Sequence, residues 1–313
     1  MAIPPNLVRQ VALEIFQAAR DGRRLDMSAH SRDEWAFGVS MVLTSGRLGI
    51  GRAALEQMRE AFPNMPFARG LLRMLDALPP ADPRSRLVTD PRKDVHVVRR
   101  EGGADTVLVC FSGVGLIGVG APLPILHRWL GQLDAHLIYL RRRRLADFYL
   151  DGIPQLGPDP DATAEAIARL AAELGGRRLL VYGNSSGGFA AMLYGLKLKA
   201  EAVLAFGPPT SMTPEFNEHL VLAETSRRLR AEHPDAPLDL RPLWQAADPR
   251  PRLTIVRGEH NWDDRLYADH VADLPGVDVR EVAGYQGHQV VFELLLRQEL
   301  LPIMQDFLRP PSA

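Results

Sequence analysis

The chain has 313 residues, of which 46% are hydrophobic and 24% charged, with a formal net charge of −1. This is the composition of an ordinary globular protein, and the near-zero charge argues against nucleic acid or an anionic membrane as partner. No apolar run approaches a membrane span, and Met1-Ala2-Ile3-Pro4-Pro5 lacks the basic and apolar regions of a secretory signal. One cysteine, Cys110, excludes an internal disulfide and, inside an apolar run, reads as a buried small hydrophobe. These features point to the cytoplasm.

Up to about residue 85 the pattern is helical. Leu7, Val11, Ile15 and Ala18 recur at helical spacing. Ser31-Arg32-Asp33-Glu34 has the form of a capping box and opens a helix through Leu43. Ala53 to Phe62 and Phe67 to Leu78 form two more predicted helices, with Pro63 and Pro66 in the joint. Ala53–Pro63 resembles a tetratricopeptide-type repeat, although no fixed period emerges. A helical-hairpin array of this kind, residues 1–85, is a candidate surface for a protein partner.

Beyond Pro83 strands and helices alternate. Predicted strands cover Val95–Val98, Thr106–Phe111, Ala135–Leu140, Leu179–Tyr182, Ala202–Phe206, Leu253–Val256 and Val277–Val282. Helices are predicted over Leu123–Leu130, from an Asp161 cap to Gly175-Gly176, from Phe189 to Leu198 and over Val291–Phe307. Near-continuous apolar strands between amphipathic helices imply an α/β protein, its mostly parallel sheet covered on both faces. Residues 86–313 form that domain. An insertion at 208–252, after the fifth strand, would rise over the carboxyl edge of the sheet as a lid.

The stretch Gly183-Asn184-Ser185-Ser186-Gly187-Gly188 stands between a strand and a helix. Glycines two residues before and two after Ser185 allow the sharp turn of a nucleophile elbow, which exposes the serine hydroxyl at the sheet edge. A Gly/Ser-rich turn or a phosphate loop is the bland alternative, but the Gly-Lys-Ser/Thr ending of the latter is missing. A serine hydroxyl needs a histidine to take its proton and a carboxylate to orient that histidine. Downstream, Arg257-Gly258-Glu259-His260-Asn261-Trp262-Asp263-Asp264 follows one strand. Ala283-Gly284-Tyr285-Gln286-Gly287-His288 follows the next.

With this order of serine, acid and histidine, residues 90 to 310 resemble the α/β-hydrolase family. The resemblance implies Ser185 as nucleophile, His288 as base and an acid in the Glu259–Asp264 loop. The position where many members carry the acid holds Asn261, so Asp264 is preferred, with Asp263 as the alternate and Glu259 third. Asp263 or Asp264 could instead cap a helix beginning at Arg265. The resemblance also implies an oxyanion hole from the N–H of Ser186 and of Val114, in a Ser112-Gly113-Val114-Gly115 loop whose Ser112 replaces the usual histidine.

Arg141 to Arg144 reads as a solvated basic loop or as a rim for an anionic substrate group, in which case Arg141 binds substrate. Trp262 is a second candidate for substrate contact, whereas Phe216, Leu220 and Ala223 form an apolar stripe in the insertion. His260 is structural or substrate-facing, and the other histidines carry no motif. No metal-ligand spacing occurs, so neither metal nor other cofactor is expected. The expected activity is that of a carboxylesterase-type serine hydrolase acting on a small acyl ester or thioester. An acyltransferase with the same triad, or a non-catalytic scaffold using the N-terminal helices, are the alternatives.

Overall fold

A computed structural model describes residues 5–90, 92–113, 121–141 and 148–310. Four helices come first: α1 (Pro5–Asp21), α2 (Arg32–Thr44), α3 (Leu48–Ala61) and α4 (Pro66–Asp76). The capping box of α2 is present. The Ser31 hydroxyl accepts from the Glu34 N–H, and the Glu34 carboxylate accepts the Ser31 N–H at 2.7 Å. α3 begins at Leu48, five residues before the predicted start at Ala53.

The sheet contains β1 (Val95–Val98), β2 (Thr106–Phe111), β3 (His136–Leu140), β4 (Arg178–Asn184), β5 (Ala202–Phe206), β6 (Arg252–Gly258) and β7 (Val277–Val282). Their spatial order is β1-β3-β2-β4-β5-β6-β7. Only β1 runs antiparallel, pairing with β3; β2 to β7 are parallel. The chain builds outward from β2 to β3, then reverses to β4 on the other side. The carboxyl ends of β2 and β4 therefore flank a topological switch point, where α/β sheets place their ligands.

The remaining helices are α5 (Leu123–Leu130), α6 (Pro160–Glu173), α7 (Ser186–Lys197), α8 (Ala223–Glu232), α9 (Arg241–Ala246), α10 (Trp262–Asp269), α11 (Val290–Leu296) and α12 (Leu300–Leu308). α6 is capped by Asp159, not Asp161: its carboxylate accepts the Ala162 N–H at 2.8 Å, and Pro160 fills the first helical position. The single C-terminal helix predicted over 291–307 is two helices. Gln298, at φ 61°, breaks it, and Pro302 falls in the first turn of α12, where proline is tolerated. No helix among the described residues is long and apolar enough to cross a membrane.

Side chains of a strand alternate between faces, and the two faces of this sheet carry separate apolar clusters. Leu108, Cys110, Leu137, Tyr139, Leu180, Tyr182 and Leu204 cluster with residues of α1 to α5, α11 and α12. Val107, Val109, Phe111, Ile138, Val181, Val203 and Ile255 cluster with residues of α6, α7, α8, α9 and α10. Cys110 is fully buried, and burial pushes its thiol well above the ordinary range.

The N-terminal helices thus cover one face of the sheet. Their Val11, Trp35, Val39, Leu55, Met58 and Leu71 lie in the same cluster as the sheet residues. α4 packs on α11 so closely that a Cβ at Gly70 would meet the Phe292 ring at 2.6 Å.

The insertion between β5 and β6 carries α8 and α9. Phe216 and Leu220 precede α8 in a run of turns, so the stripe they form with Ala223 is not a helical face. Phe216 stacks on Tyr267 and packs against His270. Trp244 of α9 is fully buried.

Candidate active site

β4 ends at Asn184 and α7 begins at Ser186, with Ser185 alone between them at φ 55° and ψ −124°. That conformation is strained for a residue with a side chain and persists only where the surroundings enforce it. Two backbone approaches enforce it. A Cβ at Gly183 would collide with the Gly187 carbonyl oxygen. One at Gly187 would collide with the Phe111 carbonyl and come within 2.5 Å of the Ser112 oxygen. The Ser185 N–H donates to the Phe206 carbonyl at 2.8 Å, which ties the turn to β5.

The chain brings His288 over this serine from the loop after β7. His288 Nε2 lies 2.8 Å from Ser185 Oγ, and its Nδ1 lies 2.8 Å from Asp264 Oδ1. The second contact assigns the ring proton to Nδ1, since an ionised carboxylate only accepts, and leaves the Nε2 lone pair facing the hydroxyl. Asp264 is 3% exposed. Burial pulls the His288 pKa down, but the hydrogen bond and charge of Asp264, helped by the charge of Asp263, outweigh it. The net result lies above the ordinary 6.5.

Asp264 belongs to α10, which starts at Trp262 rather than at Arg265. Neither aspartate caps it. The cap is Asn261, whose side-chain oxygen accepts the Asp264 N–H at 2.9 Å. Asp264 falls on the buried face of α10 with Tyr267 and Ala268, at the i+3 and i+4 spacing that shares a face. Asp263 points to the insertion, where its carboxylate accepts the Val221 N–H at 3.3 Å.

Glu259 serves elsewhere: it accepts the Gly284 N–H at 2.6 Å. His260 N–H donates to the Tyr285 carbonyl at 3.0 Å, and the Asn261 amide to the Gln286 carbonyl at 3.3 Å. The loop bearing the acid and the loop bearing the histidine are in this way joined along 259–261 and 284–286. Sequence reasoning missed this joining role of Glu259 and Asn261, and no local pattern announces it, because the partners are about 25 residues away.

The helix α10 is in turn fixed to the insertion. The Thr210 hydroxyl donates to the Tyr267 carbonyl at 2.6 Å, and the Tyr267 hydroxyl bonds to the Asn217 side-chain oxygen. The Asn217 amide donates to the carbonyls of Ser211 and Thr213 at 3.0 and 2.9 Å.

Ser186 opens α7, so its N–H has no intrahelical carbonyl to meet. Val114 lies outside the described residues, as do Arg142, Arg143 and Arg144. Arg141 donates through its guanidinium to the carbonyls of Lys93 and Asp90, at 2.8 and 3.3 Å, beyond the end of β3. Both carbonyls precede β1, the edge strand that pairs with β3. Trp262 is 65% exposed, two positions before Asp264.

A parallel sheet reversing at β2/β4, a serine on a strained strand-to-helix turn and a histidine beyond the last strand define the α/β-hydrolase fold, and the chain has that fold. No protein-family profile matches the chain, and no curated protein matches it in sequence. Solved structures do. A hormone-sensitive lipase from a metagenome library matches at a TM-score of 0.52 and 18% identity, over 76% of this chain and 89% of its own. An esterase of the bacterial hormone-sensitive lipase family matches over 99% of both chains, at 0.51 and 16%. Esterase B of Lactobacillus rhamnosis matches at 0.51 and 15%, over 80% of this chain and 99% of its own.

Proposed function

We propose that this chain is a serine hydrolase that cleaves an ester or thioester through an acyl-enzyme on Ser185. The observation that carries the reading is the continuous hydrogen-bonded series Ser185–His288–Asp264, with both links at 2.8 Å. Ser185 Oγ attacks the acyl carbon while its proton passes to His288 Nε2. Asp264 keeps the ring oriented and stabilises the imidazolium that forms. The oxyanion faces the Ser186 N–H and, in this proposal, that of Val114. Collapse releases the alcohol or thiol, which takes the proton from His288. Water then attacks the acyl-enzyme with His288 again as base. Exposed Trp262 is assigned to the entrance rim. The names of the structural neighbours, a lipase and esterases, accord with this chemistry.

A fluorophosphonate tests the nucleophile directly. Intact mass is expected to show a single adduct on the wild-type protein and none on Ser185→Ala. No adduct on a folded, monodisperse wild-type sample would replace the enzyme with a non-catalytic scaffold.

The electrostatics of His288 set the pH profile. The base works only when neutral, so activity is lost as pH falls through its pKa. That pKa is raised above 6.5, so kcat/KM is expected to climb through neutrality and level off at alkaline pH. A flat profile from pH 5 to 8 would contradict the assignment of His288.

A further inference from the structure

Two bulky residues in succession, Phe148 and Tyr149, adopt φ of 54° and 63°. The left-handed region is unfavourable for side chains of this size, and its use twice in a row requires specific support. Ring contacts give part of it. Phe148 meets Phe189 of α7 edge-on at 5.5 Å, and Tyr149 meets Phe111 of β2 edge-on at 5.2 Å. Phe111 also packs on Tyr194 at 4.9 Å. Both strained residues are buried.

Hydrogen bonds give the rest, and they converge on one place. The Tyr149 carbonyl accepts from the Tyr194 hydroxyl at 3.0 Å, which ties it to the helix that follows the nucleophile. The Tyr149 hydroxyl lies 2.9 Å from the Ser112 carbonyl, 2.9 Å from Ser112 Oγ and 3.2 Å from the Leu140 carbonyl. A phenol has one proton to give. It donates that proton to the carbonyls and accepts from Ser112 Oγ, so Ser112 is held by its backbone and its side chain together.

Ser112 is the last step before the site. A Cβ on the next residue, Gly113, would stand 3.4 Å from the Ser185 Cβ. The Ser112 carbonyl itself lies against Gly187 of the elbow. The peptide pinned by Tyr149 thus packs on the turn that carries Ser185 and the Ser186 N–H, the described oxyanion donor of the function proposed above.

We propose that Tyr149 is a positioning residue for the hydrolytic reaction. Its hydroxyl fixes the Ser112 carbonyl against Gly187 of the elbow, and so holds the turn that carries Ser185 and the Ser186 N–H, while Tyr194 keys that arrangement to α7. The inference rests on the serine-hydrolase reading. Donors aimed at an oxyanion act only when held in place, and a small displacement lowers kcat more than it weakens substrate binding.

Tyr149→Phe keeps the ring on Phe111 and removes the hydroxyl alone. With 4-nitrophenyl butyrate, and with rates normalised to sites titrated by a fluorophosphonate, kcat is expected to fall about 30-fold while KM stays within about twofold. Phosphonylation of Ser185 should slow in parallel, since the phosphonyl oxygen develops its charge in the same position as the ester's carbonyl oxygen. Normalised kcat within twofold of wild type would overturn the positioning role, because a purely structural residue lowers the titrated fraction and not the rate per site. If Tyr149→Phe does not fold, Ser112→Ala removes the side-chain half of the clamp. It is expected to lower normalised kcat about fivefold, and an unchanged rate would overturn the proposal. Ester hydrolysis surviving Ser185→Ala would instead overturn the function on which it rests, whatever Tyr149 does.

Discussion

Ser185→Ala is expected to lower kcat toward esters by about 10⁶-fold and Asp264→Asn by about 10⁴-fold, whereas Asp263→Asn stays within about threefold of wild type. The first loss removes the proposed nucleophile. The second leaves His288 in place but without the carboxylate 2.8 Å from its Nδ1, which fixes the tautomer and stabilises the imidazolium. The contrast between neighbouring aspartates follows from the helix that carries them. Asp264 is on its buried face, while Asp263 bonds to the Val221 backbone. The residual activity of Asp264→Asn carries a second signature. Burial depresses the His288 pKa, and the hydrogen bond and charge of Asp264 reverse that depression. With the carboxylate gone, burial dominates, and the acid limb of kcat/KM should move to lower pH. Steady-state rates of the three variants from pH 5 to 9 check both points. Equal losses at 263 and 264, or an unmoved limb, would remove Asp264 from the triad.

Gly187→Ala is expected to be as damaging as loss of a catalytic group, though nothing ionisable changes. Its Cβ would enter the space of the Phe111 and Ser112 carbonyls, the last of β2 and the first beyond it, which are backbone and cannot rotate away. Overpacking against side chains costs about 1–3 kcal/mol. Against backbone the upper figure applies, about 3 kcal/mol, with a fall in Tm of about 5 °C. Relief requires α7 to move off β2, which carries Ser185 and the Ser186 N–H out of register with His288. We expect kcat to fall at least about 100-fold in whatever protein folds. Thermal melts together with active-site titration check this. Wild-type Tm and kcat in Gly187→Ala would mean that the turn is not packed in this way.

How legible each part was depends on how far its causes lie along the chain. The elbow is local, because two glycines bracketing Ser185 within five residues state the steric requirement in full. The parallel strands were equally plain, since Thr106–Phe111 and Ala202–Phe206 are buried on both faces and read as unbroken apolar runs. The acid was harder. Three carboxylates that could partner His288 fall between 259 and 264, and the choice turns on where α10 begins. Asn261 with Asp264 three residues later is an N-cap pattern that places the start at Trp262. From that start Asp264, Tyr267 and Ala268 share one face. The break before α12 had a local sign as well, for Pro302 belongs in a first turn. The start of α3 carries Gly49 and Gly51, which add no helical signal of their own, although Gly51 packs on Leu43. Tyr149 had no sign at all. Its hydroxyl answers to Ser112, 37 residues away, and its backbone to Tyr194, 45 residues away.

The sharing of one apolar cluster by α1 to α4 and the sheet also orders events in time. During synthesis those helices emerge before any strand they cover. From the end of α4 to the end of β4, over 100 residues must still be added. At ordinary elongation rates this takes about 5 to 20 s. Throughout that interval Trp35, Val39, Leu55 and Leu71 have neighbours on their own helices but no sheet to lie on. The nascent chain thus presents this apolar surface before the strands that will hide it have been made.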